Sequence, residues 1–282
     1  MLSQSARYFI PDPSTWPITG SIALLCMASG AASWFNGWAP GKFVVLAGVA
    51  ILGYMLVGWF HTVAHESESG KYNQQVDTSF RWGMSWFIFS EVMFFGAFFG
   101  ALFYMRVLSV PWLGDLEHKL LWPDFKAEWP ATGPGIKEAF TPMAAWGIPA
   151  INTLLLLSSG VTVTLAHWAL LRNDRNKLIA WMFATIGLGV LFLALQVYEY
   201  GHAYSDLNLK LTTGAYGATF FMLTGFHGFH VTVGCIMLTT ILFRCVAGHF
   251  RPDHHFGFEG VAWYWHFVDV VWLGLFIFVY WL

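Results

Sequence analysis

The chain has 282 residues, 57% of them hydrophobic, with 14 Lys and Arg against 16 Asp and Glu and a formal net charge of −2. Soluble domains carry about 25% charged residues, so a content of 11% argues against a soluble globular protein, and the hydrophobicity excludes a disordered one. No basic surface is available for phosphates, which excludes nucleic-acid binding, and Cys26, Cys235 and Cys245 form no CxxC pair, which argues against a disulfide framework or a thiolate metal site.

Seven apolar stretches follow one another along the chain: 16–34, 43–61, 82–105, 146–171, 178–200, 216–243 and 258–281. Each approaches or exceeds the ~20 residues that cross a ~30 Å hydrocarbon core. Backbone groups in lipid must be satisfied within their own segment, so each stretch is read as a helix. The ~10-residue alternation of a membrane β-barrel is absent. The first stretch follows Pro11, Asp12, Pro13 and Pro17, with no basic segment and no short apolar run before a cleavage site. It is therefore read as a membrane helix starting near Thr15-Trp16-Pro17 rather than as a signal peptide. The fold class expected is an all-α integral membrane protein, one membrane domain over 1–282 without internal repeats.

Basic residues in the short loops set the topology. Arg7, Lys71, Arg81, Arg172, Arg175, Lys177, Arg244 and Arg251 fall on one side. Lys42 and Lys210 fall on the other, together with the long 106–145 connection. The N-terminus is thus expected in the cytoplasm and the C-terminus outside. The connection carries Pro111, Pro123, Pro130, Pro134 and Pro142, with Trp112, Trp122 and Trp129 and, just beyond it, Trp146 and Pro149. Prolines break helices and tryptophans favour interfaces, so it is read as an ordered extramembrane cap.

Eleven histidines invite a test for ligands. A di-haem cytochrome needs axial histidines at two depths of the same helices, and no span has such a pair. His227 and His230 share a face of span six at one depth; no histidine sits at zinc-like spacing from thiolates or carboxylates. GxGxxG, Walker A and GxSxG are all absent. No catalytic residue and no metal or cofactor is therefore assigned to this chain.

Two carboxyls inside spans are the candidate proton-linked groups. Glu91 lies about nine residues into span three, ~14 Å deep. A carboxyl at that depth is neutral or partnered. On a 100° projection Gly96 and Gly100 lie on the opposite side of the helix, and that small-residue face is expected to pack closely on a neighbour. Counting depth from the ends of spans three and six puts His230 nearer to Glu91 than His227. In span seven, Asp269 has His266 three residues earlier on nearly the same face, and a helix-locking hydrogen bond is the plainer reading of that pair.

The residues then show a resemblance. Ser90-Glu91-Val92-Met93-Phe94-Phe95, Gly225-Phe226-His227-Gly228-Phe229-His230-Val231, His254-His255-Phe256-Gly257-Phe258-Glu259 with Ala262-Trp263-Tyr264-Trp265-His266-Phe267-Val268-Asp269, and the opening Pro13-Ser14-Thr15-Trp16-Pro17-Ile18-Thr19-Gly20 resemble cytochrome c oxidase subunit III. The likeness covers nearly the whole chain. It implies seven helices, a first pair over 16–61 and a group of five over 82–282, with structural phospholipid in a cleft between them. It implies a non-redox subunit docked on subunit I, alongside subunit II and other oxidase subunits, with haem a and copper in those partners. It further implies support for proton uptake and for the stability of a proton-pumping, oxygen-reducing complex of aerobic electron transport. Glu91 matches the family's glutamate in span three. Trp59, His65, Glu66 and Ser67 match lipid contacts at the end of span two, and Arg81, Arg244 and His249 match further positions on that side. One departure stands out: many members read Trp-x-Arg-Asp-x-x-Arg-Glu where this chain has histidine at His61 and His65. Histidine carries its charge only part of the time near neutral pH. The long 106–145 connection points to a bacterial cytoplasmic membrane; the alternative is the mitochondrial inner membrane.

Overall fold

The computed structural model describes residues 9–136 and 138–282; Arg7 of the topology argument, and Lys137 within the 106–145 connection, fall outside the described residues. It holds seven helices long and apolar enough to cross a membrane, and no strands among the described residues. We number them α1 (Trp16–Phe35), α2 (Gly41–Glu68), α3 (Gln74–Phe103), α4 (Ile148–Leu171), α5 (Arg175–Ser205), α6 (Gly214–Ala247) and α7 (Phe256–Leu275). α3 continues through a π-helical turn at Tyr104–Ser109 into Val110–Trp112, and α7 through another at Phe276–Trp281.

The helices run past the apolar stretches that announce them. α2 continues seven residues beyond position 61, and α3 begins eight before position 82. Their polar ends, with His65, Glu66, Asp77 and Arg81, are helical rather than looped. Hydropathy reports where the hydrocarbon ends, whereas a helix stops only where its backbone finds other partners. For the same reason residues 106–112 complete α3, and the extramembrane connection starts later than expected.

Two compact units divide the chain after Phe80. The first is the α1–α2 hairpin. Its helices meet backbone to backbone: a Cβ added at Gly48 would stand 2.8 Å from Ala23 O and Met27 N, and one at Gly30 would stand 2.7 Å from Val45 N. Small residues permit this approach where lipid gives helices no hydrophobic reason to associate. Trp16 Nε1 donates to Thr62 Oγ1 at 3.2 Å and fixes the open end of the hairpin.

The second unit, from Arg81 within α3 to the end of α7, holds the large core. α7 lies at its centre, with Trp265 and Trp272 fully buried. The Trp265 indole fills notches in two neighbours, where a Cβ at Gly189 or at Gly234 would come within 2.7 and 2.8 Å of its ring. Its Nε1 donates to Ser159 Oγ on α4 at 2.9 Å. The connection is ordered against the loop between α5 and α6 and the first turn of α6. Ala215 N and Tyr216 N donate to Thr132 O and Ala131 O at 2.9 and 3.0 Å, and Thr141 N donates to Leu207 O at 3.0 Å.

The expected close packing of the Gly96–Gly100 face is not found among the described residues. Both glycines are exposed, and a Cβ at either meets nothing within 4 Å. The opposite face of α3, with Phe95 and Leu102, is the buried one.

The hairpin makes a direct prediction. Gly48→Val should destabilise the first unit by about 1–3 kcal/mol through overpacking, read as a lower melting temperature in detergent. Gly53→Ala, where an added Cβ meets nothing within 4 Å, should leave it unchanged or slightly raised.

Candidate functional site

The second unit brings both candidate proton-linked carboxyls, Glu91 and Asp269, near imidazoles. Glu91 on α3 and His230 on α6 meet at 3.0 Å between Oε2 and Nε2, with side chains 21% and 10% exposed. Phe94 and Phe95, one turn along α3, pack their rings 5.9 and 5.0 Å from the imidazole, and Tyr264 of α7 lies on its other side at 6.4 Å. His227 turns away from Glu91: its Nε2 donates to Val268 O on α7 at 3.1 Å. Tyr264 Oη returns a bond to His230 O at 3.3 Å.

The partners of His230 determine where its protons sit. Its Nδ1 lies 2.6 Å from Phe226 O. A carbonyl only accepts, so Nδ1 carries a hydrogen. Nε2 then has two choices. It accepts from a protonated Glu91, or it carries a second hydrogen and donates to the carboxylate. In both cases a single proton lies between the two side chains and the pair has no net charge, which suits its apolar surroundings.

Asp269 and His266 on α7 come within ion-pair distance but not hydrogen-bonding distance, with Oδ2 3.7 Å from Nδ1. Thr164 Oγ1 donates to Gly160 O at 2.9 Å and so accepts from His266 Nε2 at 3.3 Å. Nδ1 of the neutral ring is then the bare nitrogen that faces Asp269. Asp269 is buried against Gly160, where an added Cβ would collide with Oδ2. His266 is 45% exposed. The structure thus brings Glu91 to His230 and Asp269 to His266.

The residues expected at lipid lie at helix ends in two groups. In the first unit, Trp59 and His65 are exposed on the last turns of α2, and Glu66 and Ser67 are half-buried. Tyr72 Oη donates to Glu66 Oε2 at 2.7 Å. Burial first, and the Glu66 carboxylate second, push the Tyr72 hydroxyl well above its ordinary pKa, so it remains a donor at neutral pH. In the second unit, Arg81 pairs with Glu259 at 2.6 Å and lies over the Phe256 ring, while Arg244 lies over Phe250 and His249 is exposed.

Sequence reading missed several tertiary pairs. His167 Nε2 meets His255 Nε2 at 3.2 Å, and Tyr280 Oη donates to Glu199 Oε1 at 2.7 Å. Nothing in local spacing signals either, since the partners are 88 and 81 positions apart. Among the described residues no three metal-donor side chains converge.

The family model for cytochrome c oxidase subunit III matches residues 6–282. The chain belongs to that family. Curated relatives named cytochrome c oxidase subunit 3 agree over all 282 residues and 99% of their own length: 41% identity in Latimeria chalumnae, 40% in Danio rerio and 39% in Bos mutus grunniens. The chain is thus a multi-pass membrane subunit of a respiratory oxidase complex, and its Glu91–His230 and Asp269–His266 pairs are features of a subunit III.

The shared-proton geometry predicts an asymmetry between two substitutions. Glu91→Gln keeps a donor for His230 Nε2 and should retain near-normal stability. Glu91→Leu leaves that nitrogen unpaired and should cost about 1–3 kcal/mol. Thermal unfolding of the complex would separate them. Asp269→Asn and Asp269→Leu should rank in the same order, with a smaller gap because the contact there is longer.

Proposed function

We propose that this chain is the non-redox core subunit of its oxidase, docked directly on subunit I in company with subunit II and the other subunits, where it binds structural phospholipid and supports proton uptake and stability. The full-length family match carries the reading. Both ring nitrogens of His230 and the Nε2 atoms of His227, His167 and His255 support it, since they bond to other protein groups. Haem a and copper belong, on this reading, to the partner subunits.

Docking has support of its own. His266 is 45% exposed about ten residues into α7, ~15 Å from that helix's start. Polar side chains at such depth face protein or water rather than lipid, so this face calls for a protein neighbour.

The Glu91–His230 pair suits a supporting role in proton uptake, because it holds a proton without a net charge. Phospholipid headgroups are assigned to the helix-end residues Trp59, His65, Glu66 and Ser67 in one unit and Arg81, Arg244 and His249 in the other. The vertebrate relatives favour the mitochondrial inner membrane, and the long connection favours a bacterial cytoplasmic membrane; in both, the N-terminus faces the proton-uptake side.

Purification through a tag on this chain in mild detergent should recover a haem- and copper-containing subunit I, with phospholipid retained in native mass spectra. The chain stripped of partners should carry neither metal group. Oxygen reduction should persist in an assembled Glu91→Gln complex, while Arg244→Ala should lower the phospholipid retained. Stoichiometric haem in the isolated chain, or complete loss of turnover in the assembled variant, would place redox chemistry here and refute the proposal.

A further inference from the structure

Polar atoms without protein partners gather where the five-helix unit meets the connection. Asn152 and Glu199 are no more than 1% exposed and Gln196 is 4% exposed. Both polar atoms of Asn152, both of Gln196 and Oε2 of Glu199 make no hydrogen bond among the described residues. Gln196 and Glu199 share one face of α5, three residues apart. The Gln196 amide lies beside both Glu199 and Tyr280 without bonding geometry to either. Tyr280 Oη occupies the other carboxyl oxygen, Oε1, at 2.7 Å.

Helix register brings Asn152 to the same level. The hydroxyls of Thr162 on α4 and Thr185 on α5 bond at 2.7 Å. The two helices are antiparallel, so ten residues back from Thr162, at Asn152, corresponds to about ten forward from Thr185, at position 195, next to Gln196. Both side chains lie on the buried stripes of their helices. A second link fixes the same turn of α4: Trp272 Nε1 donates to Thr153 Oγ1 at 2.9 Å, and the Trp272 ring is 5.8 Å from that of Tyr280.

The chemistry of these atoms selects the ligand. Two amide nitrogens need acceptors, and two amide oxygens and a carboxyl oxygen need donors. A cation would meet the oxygens and be repelled by the N–H groups, and an anion the reverse. Water serves both, and buried water bridges such mixed sets. We propose that Asn152, Gln196, Glu199 and Tyr280 build an internal water-binding site in the five-helix unit, with Glu199 Oε2 and the Gln196 amide as its anchors and Tyr280 holding the carboxyl in place. The site is independent of the docking and lipid readings above.

The oxidase complex carrying the full chain supplies the test. A map that resolves ordered solvent should show a water within hydrogen-bond distance of Glu199 Oε2 and the Gln196 amide. Infrared spectra in H2-16O and H2-18O should contain an isotope-sensitive O–H band of internal water that is lost in Gln196→Met and in Glu199→Gln. Thr162→Val, outside the site, should keep it. Direct amide–amide or amide–carboxyl bonds with no solvent between them would overturn the proposal, as would a bound metal ion or an isotope-sensitive band unchanged by both substitutions. Should either variant fail to assemble, the wild-type map decides alone.

Discussion

Hydrocarbon offers nothing to a polar group, and this one constraint organises the five-helix unit. The helices close their own backbones, so their polar side chains must find one another. Hydroxyls do most of this: Thr162 with Thr185, Tyr200 with Thr224 at 2.7 Å, and Ser159 and Thr153 with the two buried indoles of α7. Each such bond is worth little, about 0.6 kcal/mol on average in membrane proteins. Together they fix which turn of each helix stands beside which turn of the next. The carboxyl–imidazole pairs stand in an arrangement that weaker bonds have already aligned.

The two pairs differ in setting. Around Glu91 and His230, aromatic rings from two helices, α3 and α7, pack about the contact. Asp269 and His266 share a single helix, with Asp269 pressed on Gly160 and His266 facing outward. The first contact joins α3 to α6, so a change in it is felt between helices. The second is local to α7, and its imidazole is the part that another molecule can touch.

Much of the fold was legible because apolar length is a one-dimensional signal. Seven runs gave seven helices, and depth counting along spans three and six led to the right histidine, since rise per residue is fixed. Helix ends were not legible: residues such as Glu66 and Asp77 are polar and helical at once. The Gly96–Gly100 face misled because small residues signal close approach without saying to what, and among the described residues a Cβ added at either glycine meets nothing within 4 Å. Glu199 lies near the end of a span, but its partner Tyr280 is 81 residues away, and no periodicity links the two.

Trp265 carries a consequence for how such chains can change over generations. Its indole occupies space left by Gly189 and Gly234 on two other helices, and its nitrogen needs the Ser159 hydroxyl on a third. A larger residue at either glycine is tolerable only if position 265 shrinks, and a smaller residue at 265 opens a void that the glycines would have to fill. Positions 189, 234 and 265 are therefore bound into one inheritance, in which substitutions that fail singly succeed together. In a collection of related sequences they should vary as a set, while exposed Gly53, whose added Cβ would touch nothing, drifts alone.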